Sequence, residues 1–269
     1  MLFFQQPRDP AEWERMQRQE LERLQALGSE ITSVGELQKR LFDGQNRVRA
    51  IFDKIRDKEQ QSSRPMGSRL TLSPDLLREI HAELYKDIYP GAGKFRTGGD
   101  FQRDEMITKL GLEGSHHEDI SSDIQSIAEV GKRTRDHDVA SERVTGAVYE
   151  HVAVLRVIPF EEGSGRVARL LLNENLDRIY LGPESCPALD PRAYYDSLQA
   201  SLENHRTVDL KELITGDNER EVEKQLLRIE PTPVVQLIEA QHHKAQSLSR
   251  DETQHVRDQQ QRSLERGLW

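Results

Sequence analysis

The sequence predicts a mainly α-helical protein, and three observations support this fold class. Apolar residues recur at helical spacing in many segments, for example from Val144 to Leu155. Ser33 and Ser73 stand where N-cap residues are expected, directly before two such segments. Glycine and proline interrupt the periodicity between segments. One short segment, Tyr89–Thr97, indicates a small β-hairpin instead.

The helical pattern divides the chain into three regions. Residues 1–65 are expected to form an N-terminal helical region, residues 66–216 the main domain, and residues 217–269 a polar C-terminal helical extension. The polar stretch Lys58–Pro65 is the expected linker between the first two regions. Helices are expected, in chain order, at residues 10–27, 33–55, 73–85, 119–135, 144–155, 163–172, 191–205 and 208–214.

Composition narrows the function classes. The chain of 269 residues has a net charge of −9, which disfavours a general nucleic-acid binder. No stretch approaches the ~20 apolar residues that span a bilayer, so no membrane partner is expected. The single cysteine, Cys186, excludes an internal disulfide and fits a reducing compartment. No Sec-type signal is visible, so a cytoplasmic protein or an exported effector is expected.

The segment Arg156–Arg169 predicts an anion-binding site. Gly163 and Gly165 flank Ser164 directly before a helix, so the turn can aim backbone N–H groups and the helix N-terminus at an anion. Two arginines, Arg166 and Arg169, lie three positions apart and share a helix face. The simpler alternatives are a plain loop in which Ser164 caps the helix and surface salt bridges for both arginines.

This segment resembles the signature of Fic proteins, H-x-F-x-[D/E]-G-N-G-R-x-x-R. Ile158 stands where that family has its catalytic histidine, and Ser164 where it has asparagine. The other positions match; they are Phe160, Glu162, Gly163, Gly165, Arg166 and Arg169.

Flanking segments extend the resemblance to about residues 70–216. Tyr89–Thr97 resembles the family's hairpin flap, while Tyr195–Leu198 and Asp209–Ile214 resemble its later helices. The resemblance implies a helical core with a flap that binds a segment of a target protein. It also suggests that Lys94 and Arg96 help to hold a nucleotide.

The resemblance implies ATP as cofactor, with magnesium held by Glu162; the alternative is an acid that merely favours the helix start. Fic enzymes transfer AMP from ATP to a protein hydroxyl, and their histidine takes the hydroxyl proton. Ile158 cannot do so, and its simplest explanation is packing. Three hypotheses follow: a degenerate nucleotidyltransferase with impaired AMP transfer, an active transferase with altered chemistry or donor, and a non-catalytic interaction scaffold.

Three other features receive interpretations of their own. Thr32–Leu37 partly matches the inhibitory motif of many Fic proteins, [S/T]-x-x-x-E-[G/N], but a capping box of Ser33 and Glu36 explains the same residues. The cluster His116–Asp119 is expected to be a solvated loop rather than a metal site. His151 lies two helical turns before Ile158, too far to replace the missing base.

Overall fold

The computed structural model describes residues 10–61, 68–98, 112, 114–180, 191–203, 233–240 and 242. Within these residues the chain is helical and contains no β-strand, which confirms the predicted mainly α fold class. Residues 233–240 form a further helical stretch after seven longer helices. The seven are α1 (Pro10–Ala26), α2 (Val34–Gln60), α3 (Pro74–Tyr85), α4 (Ile120–Arg135), α5 (Ala140–Val157), α6 (Ser164–Ile179) and α7 (Pro191–Glu203).

Side-chain caps fix the starts of α2 and α3 where the sequence predicts them. Ser33 is the N-cap of α2, and its Oγ accepts a hydrogen bond of 3.2 Å from the Glu36 N–H. Ser73 does the same for α3, with the Leu76 N–H as donor at 3.1 Å. Pro74 follows as the first helical residue, where its missing N–H costs nothing.

Helix α5 is the centre of the molecule. Nearly every residue from Val144 to Val157 is buried, including the polar Glu150 and His151. A helix that is apolar on all sides has to be surrounded by others, and α4 and α6 pack against it. Among the described residues, no helix is long and apolar enough to cross a membrane.

The N-terminal helices belong to the same hydrophobic core. Leu24 of α1 and Val48 of α2 are almost fully buried in it. Two ion pairs also join α2 to α6: Arg56 of α2 donates to Glu174 of α6 at 2.7 Å, and Arg178 of α6 pairs with Glu59 of α2. The predicted linker begins too early, since α2 continues through Lys58 to Gln60. The proposed boundary at residue 65 lies outside the described residues.

The predicted hairpin is not confirmed. Residues 90–93 form a turn, and residues 94–98 form no strand. The Arg96 N–H instead donates to the Pro159 carbonyl at 3.0 Å, so this segment runs beside the end of α5. The predicted helix at 208–214 and most of the region after 217 lie outside the described residues.

The close approach of α2 and α3 leads to a stability prediction. A Cβ on Gly44 would lie 2.4 Å from the backbone oxygen of Leu84, which cannot move without shifting α3. We expect Gly44→Ala to destabilise the fold by about 1–3 kcal/mol, as overpacking does. The measurement is urea unfolding followed by circular dichroism.

Gly35→Ala is the matched control on the same helix. A Cβ there meets nothing within 4 Å. Alanine is the better helix former, so stability should stay the same or rise by up to about 1 kcal/mol. Equal effects at the two glycines would contradict the close approach.

Candidate functional site

The C-terminus of α5 sets the direction of the chain into the predicted anion-binding turn. Ile158 ends the helix in the left-handed region, with φ 48° and ψ 67°, and is the only described non-glycine residue with positive φ. A β-branched side chain is unfavourable in that conformation. Its side chain is 1% exposed and packs in the hydrophobic core. Ile158 is therefore both strained in its backbone and part of the packing.

Arg96 holds this helix end in place. Its Nε donates to the Ile158 carbonyl at 2.7 Å, and its Nη2 donates to the carbonyls of Val157 and Ser115. A cation is favourable at a helix C-terminus, where the last carbonyls lack partners in the helix. Burial lowers the pKa of Arg96. Arg96 thus binds the end of α5 in this structure, and its expected nucleotide role stays a prediction.

Gly163 lets the chain turn tightly into α6. It is the N-cap residue with φ 85°, and a Cβ there would lie 2.4 Å from the ring of Tyr85. Both the conformation and the contact require glycine. The first N–H groups of α6, Ser164 to Arg166, have no acceptor within the helix, as at any helix start.

Ser164 closes the loop rather than capping the helix. Its Oγ accepts from the Phe160 N–H at 3.0 Å and donates to the Phe160 carbonyl at 3.2 Å. The N-cap is Gly163, so the alternative of a Ser164 cap is wrong. With its hydroxyl on Phe160, Ser164 fixes the shape of the turn.

The guanidinium of Arg166 binds a carboxylate of α1. Nη1 and Nη2 contact the two oxygens of Glu20 at 2.5 and 3.0 Å, and Nη1 also donates to the Tyr85 hydroxyl at 2.6 Å. Burial lowers the pKa of Arg166, but Glu20 and Tyr85 outweigh it, so the pKa is raised. Burial raises the pKa of Glu20, and Arg166 outweighs that effect and lowers it. Both groups are therefore charged.

A second ion pair joins α1 to the turn with the charges reversed. The Arg23 Nε donates to Glu162 Oε2 at 2.7 Å, and the side chains are only 19% and 7% exposed. Glu162 Oε1 accepts from the Gly163 N–H at 3.2 Å. Among the described residues, no three His, Cys, Asp or Glu side chains are grouped to hold a metal. In this arrangement Arg23 and the Gly163 N–H therefore occupy the two Glu162 oxygens that magnesium would need.

Residues 71–176 match the model of the Fic/DOC family. This part of the chain is a Fic/DOC-family domain. It begins just before α3 and ends within α6, so it includes the turn, Ile158 and both arginines. Helix α1, which carries Glu20 and Arg23, lies before the matched residues.

Several solved structures are similar in their chain path. A Fic-domain signaling protein from Bacteroides thetaiotaomicron is 18% identical with a TM-score of 0.48, covering 90% of this chain and 91% of that one. The N-terminal Fic domain of Bep8, a Bartonella effector, is 15% identical with a TM-score of 0.44, covering 76% and 90%. BepC from Bartonella tribocorum, solved with bound AMPPNP, is 13% identical with a TM-score of 0.41, covering 74% and 88%. No curated protein matches.

Of the other residues predicted to bind a nucleotide, Gly165 and Arg169 lie in α6, and Lys94 lies after the 90–93 turn. Gly165 is buried at the start of α6, and the half-buried Arg169 lies near enough to help lower the pKa of Glu20. Lys94 is exposed beside the 90–93 turn. No hydrogen bond among the described residues joins its side chain to Arg166 or the glycines.

Sequence reasoning missed the two α1 residues that contact the turn. It considered Glu36 as an inhibitory acid, but the Glu36 N–H donates to the Ser33 cap of α2 and the Glu36 carboxylate pairs with Arg40 at 2.5 Å. The acid on an arginine of the turn is Glu20, within a segment that lacks the family's inhibitory pattern. The available signal was the spacing of Glu20 and Arg23, since residues three apart share a helix face.

His81 of α3 connects the turn to the segment after Tyr89. Its ring stacks on Phe160 with centroids 3.8 Å apart, and its Nε2 lies 3.0 Å from the Glu162 carbonyl. Its Nδ1 accepts from the Gly93 N–H at 2.8 Å, which assigns the proton to Nε2. His81 thus fixes the loop position while remaining neutral.

Two buried histidines lead to a prediction about pH. Burial lowers the pKa of His81 and of His151 to about 4, from an ordinary value of 6.5. The unfolded chain therefore binds more protons than the folded one between pH 6.5 and 4, and stability must fall as the pH falls through this window. We expect a loss on the order of 3 kcal/mol for each histidine by pH 4, measured by urea unfolding at a series of pH values.

His81→Gln tests this assignment. The dependence of unfolding free energy on pH should become shallower by one proton, whatever the variant does to stability at pH 7. His116→Gln, the same substitution at an exposed position, is the control. An unchanged slope for His81→Gln would contradict a neutral buried imidazole.

Proposed function

We propose that this protein is a Fic-domain protein of the nucleotidyltransferase class that keeps a phosphate-binding turn but is impaired in AMP transfer. The observation that carries the proposal is the contact of both Glu20 oxygens with Arg166 at the N-terminus of α6. An anionic group of the chain itself lies where the turn is built to hold one. The expected ligand is ATP or another nucleotide, and the expected macromolecular partner is a target protein docked on Tyr89–Thr97.

The Glu20 carboxylate is a guide to the geometry of the phosphate site. Arginine binds carboxylate and phosphate through the same pair of parallel N–H groups. The orphan N–H groups at the start of α6 and the charge of Arg169 add positive potential at the same place. A phosphate that displaced Glu20 would therefore exchange one anion for another on Arg166.

The missing base explains why transfer is impaired. A target hydroxyl attacks the α-phosphorus of ATP, pyrophosphate leaves, and the hydroxyl proton needs an acceptor. Ile158 offers none, and a general base contributes typically about 10²–10⁴-fold. His81 is fully buried under Phe160, and both of its ring nitrogens have partners. His151 is bonded to the Ala168 carbonyl and the Tyr194 hydroxyl. Neither histidine replaces the base.

Helix α1 closes the site in the arrangement described. A ligand can reach Arg166 only when Glu20 leaves it, whether by a side-chain rotation or by a movement of α1. The same observation favours a second candidate function, an interaction scaffold in which α1 permanently occupies the turn. The two differ in whether a nucleotide binds once Glu20 is removed.

Glu20→Ala tests the phosphate site. A charge-assisted hydrogen bond contributes roughly 1.5–3 kcal/mol, so we expect ATP to bind about 10- to 100-fold more tightly to this variant than to the native chain. The measurement is titration calorimetry, with circular dichroism to show that the variant is folded. Glu22→Ala is the matched control, because Glu22 is an exposed glutamate of the same helix. The absence of ATP binding by every variant would favour the scaffold.

Ile158→His, made together with Glu20→Ala, tests the lost base. We expect labelling of protein by ATP carrying a labelled α-phosphate to rise by about 10²–10⁴-fold over Glu20→Ala alone. Ile158→Asn, also made together with Glu20→Ala, is the control. Asparagine, like histidine, is among the residues that adopt the left-handed conformation most readily, but it cannot accept the proton of the target hydroxyl. Strong labelling by the unaltered protein would contradict the impairment.

A further inference from the structure

Helix α1 contacts the turn through two crossed ion pairs rather than one. Glu20 contacts Arg166, and three residues later Arg23 contacts Glu162. Each of the two charged residues of α1 therefore pairs with a residue of opposite charge at the turn. The first pair occupies the anion site. The second pair places the positive charge of Arg23 on the Glu162 carboxylate, at the edge of that site. The proposed phosphate site does not by itself require this second pair.

Arg23 occupies the position of a cation on Glu162. Its Nε lies 2.7 Å from Oε2, while Oε1 accepts from the Gly163 N–H. A magnesium ion would need Glu162 oxygens within about 2.1 Å, directly beside the guanidinium, and two cations on one largely buried carboxylate repel each other. Among the described residues, no three His, Cys, Asp or Glu side chains are grouped there to hold a metal without the ligand's own oxygens.

The backbone around Arg23 is held firmly. Its neighbour Leu24 is fully buried in the core, and Leu21 is 9% exposed. The helix ends at Ala26, and Gly28 then takes a left-handed conformation that lets the Ser29 N–H donate to the Leu24 carbonyl at 2.9 Å. Glu20 can therefore rotate away from Arg166 while α1 and Arg23 stay in position.

We infer that Arg23 supplies to this site the positive charge that a divalent metal supplies in metal-dependent phosphate sites, so that a polyphosphate binds here without metal. The inference rests on the proposed phosphate site and specifies its cation. Arg23 neutralises Glu162, which would otherwise repel the ligand's phosphates, and it adds its own charge beside the anion position vacated by Glu20. The ligand class is a nucleotide or inorganic polyphosphate free of bound metal.

The test measures ATP affinity by titration calorimetry in EDTA and in magnesium chloride, in the full-length chain carrying Glu20→Ala. With Arg23 present, we expect the two dissociation constants to differ by less than about threefold. With Glu20→Ala and Arg23→Met together, affinity in EDTA should fall by about tenfold or more, because a positive charge is lost and the charge of Glu162 is no longer neutralised by Arg23. Magnesium should restore much of that loss.

Glu20→Ala with Arg18→Met is the matched control. Arg18 is an arginine of the same helix whose side chain is 67% exposed and pairs with Glu14. The Arg18→Met substitution removes one positive charge from α1 at a position away from the turn. The ATP affinities in EDTA and in magnesium chloride should therefore both equal those of Glu20→Ala alone. Magnesium complexes ATP in solution equally for all variants, and the difference between variants therefore reports the protein. Inorganic triphosphate in place of ATP shows whether the phosphates alone suffice.

The outcomes separate this inference from the function on which it rests. Binding by Glu20→Ala that requires magnesium, or equal behaviour of Arg23→Met and Arg18→Met, overturns the role of Arg23 and leaves the phosphate site intact. No binding of ATP or triphosphate by any folded variant, with or without magnesium, overturns the phosphate site itself. Metal-independent binding that weakens only with Arg23→Met supports both.

Discussion

The arrangement of the site depends on the way α5 ends. Ile158 adopts a left-handed conformation that a β-branched residue takes only when its surroundings impose it. Arg96 imposes it from outside by binding the last carbonyls, and the hydrophobic core imposes it from inside by enclosing the isoleucine side chain. That helix end directs the chain through Phe160 to Gly163, and so determines where α6 begins.

The turn that follows is rigid for reasons that do not involve a ligand. The Ser164 hydroxyl closes the loop on Phe160, and the His81 ring stacks beneath it. The Tyr85 ring lies where a Cβ of residue 163 would be. An anion site benefits from such rigidity, because its N–H groups are already oriented before the ligand arrives. None of these contacts involves a proton-accepting group at residue 158, so the turn keeps its shape with isoleucine at that position.

The crossed ion pairs give each charged side chain at the turn a partner of opposite sign on α1. A buried arginine without a partner is costly, and Glu20 removes that cost for Arg166. Arg23 does the same for Glu162. Both α1 residues lie outside residues 71–176, which match the Fic/DOC family. The charged side chains of the matched region therefore find their partners on a helix that precedes it. The site therefore combines α1, near the start of the chain, with the turn before α6, in its second half.

Much of the fold followed from local signals. Ser33 and Ser73 predicted the starts of α2 and α3, and apolar spacing predicted α5, because capping and periodicity act within a few residues. The predicted end of α2 was too early, since a polar composition at Lys58–Gln60 does not by itself stop a helix that is anchored to α6. The hairpin at Tyr89–Thr97 was predicted from a family pattern and remains unconfirmed.

The sequence by itself determined the helical class, the glycine turn with its two arginines, and the absence of a base at Ile158, because each is written in neighbouring residues. Only the tertiary structure decided the partners of those residues. Glu20 and Arg166 are separated by 146 positions, and Arg23 and Glu162 by 139. The spacing of Glu20 and Arg23 places both on one face of α1, but nothing local says which distant charges that face meets. Packing of α1 against the core brings them together, and that packing depends on the whole fold.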